Sequence, residues 1–193
     1  MELNICALEE TGHTRSSLKK IDFNCGDKKE DKELSKYLKQ LAWKNNEISI
    51  ARTFVACDIE NPKCIFGYYT ASMSLIEVKN LPDDLKDSLP GYPIPAMLIG
   101  KFAVNRSVQR KGIGKKLIRH AFENVIEISK KVAVYAVIVD AKNKEVKEYY
   151  IEQAGFLSLI DRPLSVYIPV ISIKEAQANA QKAMQSQEIS SIN

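Results

Sequence analysis

The stretch MLIGKFAVNRSVQRKGIGKKLIRHAF, residues Met97–Phe122, joins an apolar run to an amphipathic run through a short turn that contains two glycines. The apolar run is typical of a β-strand, and the second run repeats apolar residues at helical spacing. Gly112 and Gly114 lie where the helix is expected to begin, and without a Cβ they allow positive φ and a close approach to a ligand. Basic residues beside them add positive charge: Arg110, Lys111 and Lys115. The turn therefore predicts an anion-binding site at a helix start.

Other phosphate-binding motifs do not fit this turn. It contains neither the GxGxxG spacing of a dinucleotide-binding turn nor the GxxxxGK[ST] spacing of a P-loop. The glycine pair by itself is equally compatible with an ordinary loop followed by a solvated basic helix start. The choice between these interpretations depends on the rest of the sequence.

Gln109–Gly114, QRKGIG, resembles the Q/R-x-x-G-x-G/A signature of the GNAT superfamily of acetyltransferases. The resemblance implies that the turn cradles the pyrophosphate of CoA and that the preceding strand offers backbone groups to the pantetheine arm through a splayed sheet. It also implies acetyl-CoA as the co-substrate, and nothing in the sequence indicates a metal. The implied cofactor-binding residues are Phe102, Ala103, Val104, Gln109, Arg110, Lys111, Gly112, Ile113, Gly114, Lys115 and Asn143.

The run NKEVKEYYIEQAGF, residues 143–156, resembles the N-x-x-A-x-x-F-Y-x-x-x-G-F element of the same superfamily. Counting forward from Asn143 puts Tyr150 at the functional tyrosine, whereas counting back from Gly155 puts Ile151 there, so one residue is inserted. We take the forward count, which implies that the Tyr150 hydroxyl donates a proton to the departing CoA thiolate. Tyr149 is a second candidate. The alternative for either residue is a tyrosine packed in the core.

Seven runs rich in β-branched and aromatic residues predict strands. They are Leu3–Leu8, Arg52–Asp58, Cys64–Leu75, Ala96–Val104, Val132–Val139, Phe156–Ile160 and Val166–Ile171. Three helices are predicted at Lys29–Asn45, Gly112–Ser129 and Asn143–Gln153. The predicted buried face of the first helix comprises Leu34, Tyr37, Leu38, Leu41 and Ala42. The order of elements predicts a mixed α/β (α+β) fold, and the resemblance implies a GNAT fold with a central, mostly antiparallel, splayed sheet of about six or seven strands flanked by helices.

The chain of 193 residues is long enough for one good core. We expect a single acetyltransferase domain over residues 1–171, followed by a polar tail rich in Ala and Gln, residues 172–193, that is helical or disordered. The segment Lys79–Pro95 is expected to be a long surface connection between two strands. No apolar run reaches the length of a membrane span and the N-terminus lacks the pattern of a signal peptide, so a cytoplasmic protein is expected.

The cysteines and histidines give no sign of a metal or of a histidine base. Cys6, Cys25, Cys57 and Cys64 show no CxxC pairing and are expected to be free, buried thiols. Of the two histidines, His13 and His120, the latter is expected to be a half-exposed structural residue in a helix.

The resemblance extends upstream through IDFNCG, ARTFVA, GYYTAS and PIPAMLIGKFAV, residues 21–26, 51–56, 67–72 and 93–104, to the GNAT toxins of bacterial toxin–antitoxin modules. It implies acetylation of the α-amine of the amino acid on charged tRNA, which stops translation, and a cognate antitoxin protein as a partner. The alternatives are a GNAT enzyme acting on a small amine, such as a polyamine or an antibiotic, and a non-catalytic CoA-binding module.

The charge of the protein surface gives evidence about the acceptor that does not depend on the resemblance. The net charge is only +4, from 28 basic and 24 acidic residues, but two basic groups could follow a phosphate backbone. The candidate tRNA-binding residues outside the cofactor turn are Lys28, Lys32, Lys36, Lys39, Arg106, Lys116 and Arg119. The alternative is a solvated lysine face, because Glu30, Asp31 and Glu33 dilute the first group. A homodimer would supply more basic surface than one domain.

The pKa of the acceptor amine also favours an α-amine. A free α-amine has a lower pKa than a lysine side chain, so more of it is neutral near pH 7 and less help from a base is needed. Possible bases on the third predicted helix, Glu145, Glu148 and Glu152, are expected to face solvent.

Overall fold

The computed structural model describes residues 2–160 and 162–192, with side chains described for 2–160 and 162–185. The strands are β1 Leu3–Ala7, β2 Arg52–Asp58, β3 Ile65–Ile76, β4 Ile94–Val104, β5 Ala136–Asp140, β6 Leu157–Ser158 and β7 Ser165–Pro169. The helices are α1 Arg15–Leu18, α2 Lys29–Gln40, α3 Ala42–Glu47, α4 Asp83–Lys86, α5 Ile113–Ser129, α6 Lys144–Ala154 and α7 Val170–Ile192.

The strands form one seven-stranded sheet in the order β1-β2-β3-β4-β5-β7-β6. Every neighbouring pair is antiparallel except β4 and β5, which are parallel. Helices pack on both faces, so the predicted mixed α/β fold with a mostly antiparallel sheet is confirmed. The parallel pair matters most for the site, because the crossover that joins the two strands begins with the glycine turn and continues as α5.

Alternate residues of the central strands feed cores on opposite faces of the sheet. On one face Ile99 and Val139 pack with Leu117 and Val125 of α5 and with the start of α7, where Ile173 is 2% exposed. On the other face α1, α2 and α3 cover β1 to β3, and the connection between β3 and β4 covers the neighbouring area. That connection places Leu81 in the core, although most of its residues lie at the surface.

The predicted helix Lys29–Asn45 is broken in the structure. Leu41, at φ −116°, separates α2 from α3, and it is 47% exposed although the spacing predicted a buried residue. The bend directs α3 toward β2, where the buried Asn46 side chain accepts the Thr53 N–H at 3.1 Å and donates to Glu9. These tertiary hydrogen bonds outweigh the continuous apolar spacing on which the prediction rested.

Three strand predictions are wrong at their ends. The run from Val132 becomes a strand only at Ala136, and Val132 itself is 54% exposed. The run from Phe156 forms only the two-residue β6, and the last predicted strand ends at Pro169, after which the chain continues as α7. Short apolar runs do not distinguish a strand from a helix by periodicity, which explains the error at Val170 and Ile171, where α7 begins.

The free thiols and His120 are placed in ordinary packing environments. Cys25 and Cys57 are buried and Cys6 is half-buried, but Cys64 is exposed, so the prediction of burial is wrong for that residue. His120 is half-buried, as predicted, and its Nδ1 lies 2.9 Å from the Tyr69 hydroxyl. Over the described residues, no helix has the length and apolar character needed to cross a membrane.

Candidate active site

The sheet splits between β4 and β5. The two strands pair from Ala96 with Ala136 as far as Ile99 with Val139, and the pairing stops there. At this point β4 carries an irregularity in its pairing with β3, and Thr70 Oγ1 accepts the Lys101 N–H at 2.9 Å. A bulge of this kind bends the strand that carries it. The rest of β4, from Gly100 onward, is left with an open edge on the β5 side.

The backbone groups on this open edge follow from the neighbouring hydrogen bonds. The N–H groups of Lys101 and Asn105 point toward β3, where they donate to Thr70 Oγ1 and to the Phe66 carbonyl. Because successive strand residues direct their backbone groups to opposite edges, Phe102 and Val104 direct theirs into the split. The Phe102 N–H and C=O and the Val104 N–H can therefore bind an extended ligand arm.

The split opens into a cleft of about 720 Å³, which lies within the size range of small-molecule sites. The open edge of β4, the start of α5, the end of β5 and α6 contribute its walls, together with the N-terminal part of α2. Besides the predicted cofactor and catalytic residues, the lining includes Cys25, Glu30, Glu33, Leu34, Lys101, Asp140 and Lys142.

The glycine turn forms one end of this cleft. Gly112 has φ 81° and Arg110 has φ 64°, so the backbone alternates between left-handed and ordinary conformations, as in anion-binding nests. The first hydrogen bond that closes back on the turn runs from the Lys116 N–H to the Gly112 carbonyl, at 3.2 Å. The preceding N–H groups of α5, from Ile113 to Lys115, have no acceptor within the helix and lie at the cleft wall. This arrangement is suited to a phosphate group.

Gln109 holds this turn in place. Its Nε2 donates to the Cys25 carbonyl at 2.8 Å and to the Val104 carbonyl at 3.0 Å. The side chain thus fastens the turn both to the open edge of β4 and to the loop before α2. Its amide donors are occupied by protein groups, so its contribution to ligand binding is to shape the turn.

Two of the predicted cofactor residues lie away from the cleft wall. Lys111 is exposed beside the turn, and Asn143 caps α6 by accepting the Val146 N–H on its Oδ1 at 2.9 Å. The remaining residues of the predicted set line the cleft. Direct contact of Lys111 or Asn143 with the cofactor stays a prediction.

Tyr150 lies at the cleft wall with its ring packed in the core. The residue is 3% exposed, and its ring centroid lies 6.1 Å from that of Phe102 and 5.5 Å from that of Phe156. Burial raises the pKa of Tyr150 well above its usual range, so the hydroxyl keeps its proton near neutral pH. Among the described residues, none forms a hydrogen bond with this hydroxyl, and it can therefore serve a ligand. Tyr149 also lines the cleft but is 37% exposed.

The extra residue after Tyr150 is accommodated at the end of α6. Gly155, at φ 71°, donates its N–H to the Tyr150 carbonyl, five residues back, and the Phe156 N–H donates to the same carbonyl at 3.2 Å. An α-helical bond reaches four residues back, so the helix widens into a π-type turn where it ends. The insertion therefore lies downstream of Tyr150, and the spacing from Asn143 to Tyr150 is undisturbed.

The N-terminal part of α2 forms a wall of the cleft that the motifs did not predict. Glu30, Glu33 and Leu34 follow the i, i+3, i+4 spacing of one helix face. Beside them the buried Asp31 forms an ion pair with Lys142, which links α2 to the loop before α6. The sequence places these residues on one helix face, but nothing in it indicated that this face lines a cleft together with β5 and α6.

The lysines predicted to bind tRNA lie on another face of α2. At 100° per residue, Lys32 and Lys36 project well away from the row that lines the cleft, and both are exposed, as is Lys28, whereas Lys39 is half-buried. Arg106 forms an ion pair with Asp27, and Arg119 forms one with Glu123 at 3.0 Å. Lys116 is exposed on α5 outside the cleft. Binding of tRNA by these residues stays a prediction.

The glutamates considered as bases are exposed, as predicted: Glu145, Glu148 and Glu152. None of the three lines the cleft.

Comparison with known proteins gives a consistent result. The sequence profile of the acetyltransferase (GNAT) family matches residues 30–156. A tRNA-acetylating toxin of Mycobacterium tuberculosis (strain ATCC 25618 / H37Rv) is 26% identical over 145 residues, which are 75% of this chain and 82% of that protein. The structure of AtaT complexed with acetyl-methionyl-tRNAfMet is 25% identical, with a TM-score of 0.79 over 91% of this chain and 99% of that one. The structure of AtaTR bound with AcCoA is 26% identical, with a TM-score of 0.74 over 91% and 98%.

Proposed function

The chain belongs to the GNAT acetyltransferase family, and from that premise we propose that it acetylates the α-amine of the amino acid on charged tRNA, as the toxin of a toxin–antitoxin pair. It is an acetyl-CoA-dependent N-acetyltransferase. The observation that carries the proposal is the cleft itself, in which the open edge of β4, the glycine turn and Tyr150 meet. The similarity to tRNA-acetylating toxins supports charged tRNA as the acceptor.

The residues of the cleft fit the chemistry of acetyl-CoA. The N–H groups at the start of α5, with Arg110 and Lys115, suit the pyrophosphate. The unpaired backbone of Phe102 and Val104 suits the amide groups of pantetheine, which would extend β4 on its open edge. The thioester would then lie near the point where the strands separate, within reach of Tyr150.

The transfer requires one bond to form and one to break. The nitrogen of a neutral amine attacks the thioester carbonyl, the C–N bond forms, the C–S bond breaks, and the sulfur leaves with the electron pair. The Tyr150 hydroxyl is protonated because burial raises its pKa, so it can give the thiolate its proton. The attacking nitrogen loses one proton as the amide forms, and uptake of one proton returns the tyrosinate to its protonated form, so the protons balance. A backbone N–H on the open edge of β4 can stabilise the negative charge that develops on the carbonyl oxygen.

The acceptor amine must be neutral when it attacks. The glutamates of α6 are exposed outside the cleft, and His120 does not line the cleft but lies within hydrogen-bond distance of the Tyr69 hydroxyl. An α-amine loses its proton more readily than a lysine side chain does. This difference supports an aminoacyl ester rather than a protein lysine as the acceptor.

The proposed function also implies partners and a compartment. A toxin of this kind requires a cognate antitoxin protein, which would block the cleft or the surface that receives tRNA. Action on charged tRNA would take place in the cytoplasm. A homodimer remains part of the proposal because a second copy would add basic surface.

The proposal is tested with purified enzyme, labelled acetyl-CoA and three kinds of acceptor. We expect label on charged tRNA and none on the same tRNA after the amino acid has been removed by mild alkali. Label found only on polyamines or aminoglycosides would eliminate the tRNA proposal in favour of a small-amine acetyltransferase. If calorimetry detects no binding of acetyl-CoA, both the tRNA proposal and the small-amine alternative are eliminated.

A further inference from the structure

The cleft contains a cation that the acetyl-CoA chemistry does not use. Four basic side chains line it: Lys101, Arg110, Lys115 and Lys142. Arg110 and Lys115 belong to the glycine turn, and Lys142 is held in an ion pair by the buried Asp31. Lys101 is exposed, and among the described residues it forms no ion pair. Its ammonium group is therefore available to an anionic ligand.

The position of Lys101 separates it from the phosphate turn. It follows the split at Gly100 and directly precedes Phe102, about 3.3 Å away along the strand. Its side chain extends toward α2, where Nζ lies 5.9 Å from the centroid of the Tyr37 ring. Lys101 thus reaches the α2 side of the cleft, whereas Phe102 and Val104 pack with the core on the α5 side.

The surroundings hold the lysine side chain without neutralising it. An aromatic ring at this distance attracts a cation but leaves its charge intact. The ring itself is fixed, because Tyr37 stacks on Tyr68 at a centroid distance of 6.3 Å and its hydroxyl accepts a hydrogen bond from Asn45 at 3.1 Å. The Lys101 side chain is therefore preorganised to bind an anion that enters between β4 and α2.

The carboxylates of the cleft indicate where such an anion can lie. Glu30 and Glu33 are on the α2 wall, where they would repel a phosphate and attract an ammonium group. Asp140 is engaged by Arg162 at 2.9 Å and by Ser165 at 2.6 Å. On α2, Glu33 and Glu30 lie about one and two helical turns before Tyr37, away from the Lys101 ammonium group. An acceptor with an amino group and a nearby phosphate is complementary to this arrangement if the phosphate lies beside Lys101 and the amino group lies toward the glutamates.

The terminal nucleotide of charged tRNA has these two groups, since its ribose carries the amino acid and its 5′ oxygen carries a phosphate. We propose that Lys101 binds this terminal 5′ phosphate and thereby positions the aminoacyl ester beside the open edge of β4. The inference rests on the proposed function and deepens it by naming the group of the substrate that Lys101 recognises. Lys101 is a positioning residue, since it touches the substrate away from the reacting atoms.

The experiment compares two minimal acceptors that differ only in that phosphate: aminoacyl-adenosine with and without a 5′ phosphate. Both carry the amino acid on which the wild-type enzyme is most active in the charged-tRNA assay. In the wild type we expect the phosphate to lower KM about tenfold, as for a hydrogen bond to a charged group. In Lys101→Met that advantage should disappear, so that the acceptors with and without the phosphate have the same KM.

Two further variants make the result interpretable. Lys101→Arg keeps the charge and should retain most of the phosphate advantage, and Lys131→Met removes an exposed lysine after α5 and should behave as the wild type. With charged tRNA, Lys101→Met should reduce the dependence of log(kcat/KM) on log salt by about one unit. If Lys101→Met does not fold, Lys101→Gln replaces it in the same comparison. The wild-type KM values with and without the phosphate then test the assignment together with those of Lys101→Gln.

The possible failures are distinguishable. A wild-type enzyme that does not acetylate charged tRNA overturns the proposed function and the assignment of Lys101 with it. A wild type that acetylates charged tRNA but shows no phosphate advantage, or a Lys101→Met enzyme that keeps it, overturns the Lys101 assignment alone.

Discussion

Tyr150 is the residue on which the proposed chemistry depends most directly. Replacing it by Phe removes the hydroxyl but preserves the packing of its ring against Phe102 and Phe156. Loss of a general acid lowers turnover by about a hundredfold or more. We therefore expect Tyr150→Phe to reduce kcat by about a hundredfold, as measured by initial rates with labelled acetyl-CoA and charged tRNA, while calorimetry shows unchanged acetyl-CoA affinity.

Tyr149 supplies the matched control for that measurement. It also lines the cleft, but it is 37% exposed, and in Tyr149→Phe we expect activity within a factor of about two of the wild type, as for most surface substitutions. A Tyr149→Phe enzyme as impaired as Tyr150→Phe, or a fully active Tyr150→Phe enzyme, would contradict the assignment of the general acid to Tyr150.

The two glycines of the turn differ in what they require. A methyl group at Gly112 would meet open space, but φ is 81°, and an alanine there is strained by about 1 to 2 kcal/mol. A methyl group at Gly114 would meet the Phe102 ring at 3.8 Å, which is an ordinary contact. Gly112→Ala should therefore weaken acetyl-CoA binding in calorimetry by about tenfold, and Gly114→Ala should bind nearly as the wild type does. If Gly114→Ala instead weakens acetyl-CoA binding more than Gly112→Ala does, the close approach of the ligand to Gly114 matters more than the left-handed backbone at Gly112.

The sequence predicted these residues because their chemistry is local. Glycines before a helix and a tyrosine at fixed spacing from a helix cap are visible in a short stretch of chain. Lys101 and Glu33 were not among the predicted site residues, because their place in the cleft wall arises from long-range packing. A lysine within a strand gives no signal of its own until the split at Gly100 and the position of α2 are known.

Among the elements, α6 carries Tyr150 and begins at the cap made by Asn143. The Asn143 side chain accepts the Val146 N–H at 2.9 Å, and removal of such a cap costs about 1 kcal/mol. We expect Asn143→Ala to lower Tm by about 2 to 4 °C in thermal unfolding, and Asn143→Ser, which also caps helices, to restore most of the loss.

The same pair of variants tests whether Asn143 contacts the cofactor, as the resemblance implied. If its role is to cap α6, Asn143→Ser keeps the acetyl-CoA affinity of the wild type. If its amide binds the cofactor directly, Asn143→Ser loses affinity in calorimetry even though the helix remains stable.

Sequence reasoning at the scale of elements was accurate where periodicity extends over many residues. α5 begins one residue after its predicted start and ends at Ser129 as predicted, because its apolar face continues through four turns. The break at Leu41 depended on hydrogen bonds made by Asn46 to residues of other elements, which no local pattern contains. The insertion in α6 was visible as a spacing conflict, and the π-type turn at Gly155 explains it.

At the scale of the whole molecule, the function depends on one interruption in an otherwise continuous sheet. Burying the apolar strands requires them to pair, yet β4 and β5 pair over only four residues before they separate. The unpaired polar groups of β4 would be costly if they were buried without a partner. The bulge at Lys101 and the link from Gln109 to Val104 hold this open edge in place, which leaves the remaining groups for the ligand.

The basic surface extends the site beyond the cleft, and its contribution can be measured separately from catalysis. Lys32 and Lys36 are exposed on a face of α2 other than the one that lines the cleft, and Lys28 is exposed directly before the helix. If they contact the tRNA backbone, replacing all three by Gln raises KM for charged tRNA and leaves kcat unchanged. The dependence of log(kcat/KM) on log salt should fall by about 2 to 3 units, since each phosphate contact contributes about 0.9.

Aminoacyl-adenosine with a 5′ phosphate is the control substrate, because it is too short to reach that face. The triple variant should acetylate it at the wild-type rate. The Lys101→Met substitution, in contrast, should impair acetylation of both this substrate and charged tRNA. A triple variant that matches the wild type on charged tRNA at every salt concentration would show that these lysines are only solvated. The tRNA backbone would then have to follow the other exposed cations around the turn, of which Lys111 and Lys116 lie outside the cleft. The salt dependence therefore determines on which side of the cleft the body of the tRNA lies.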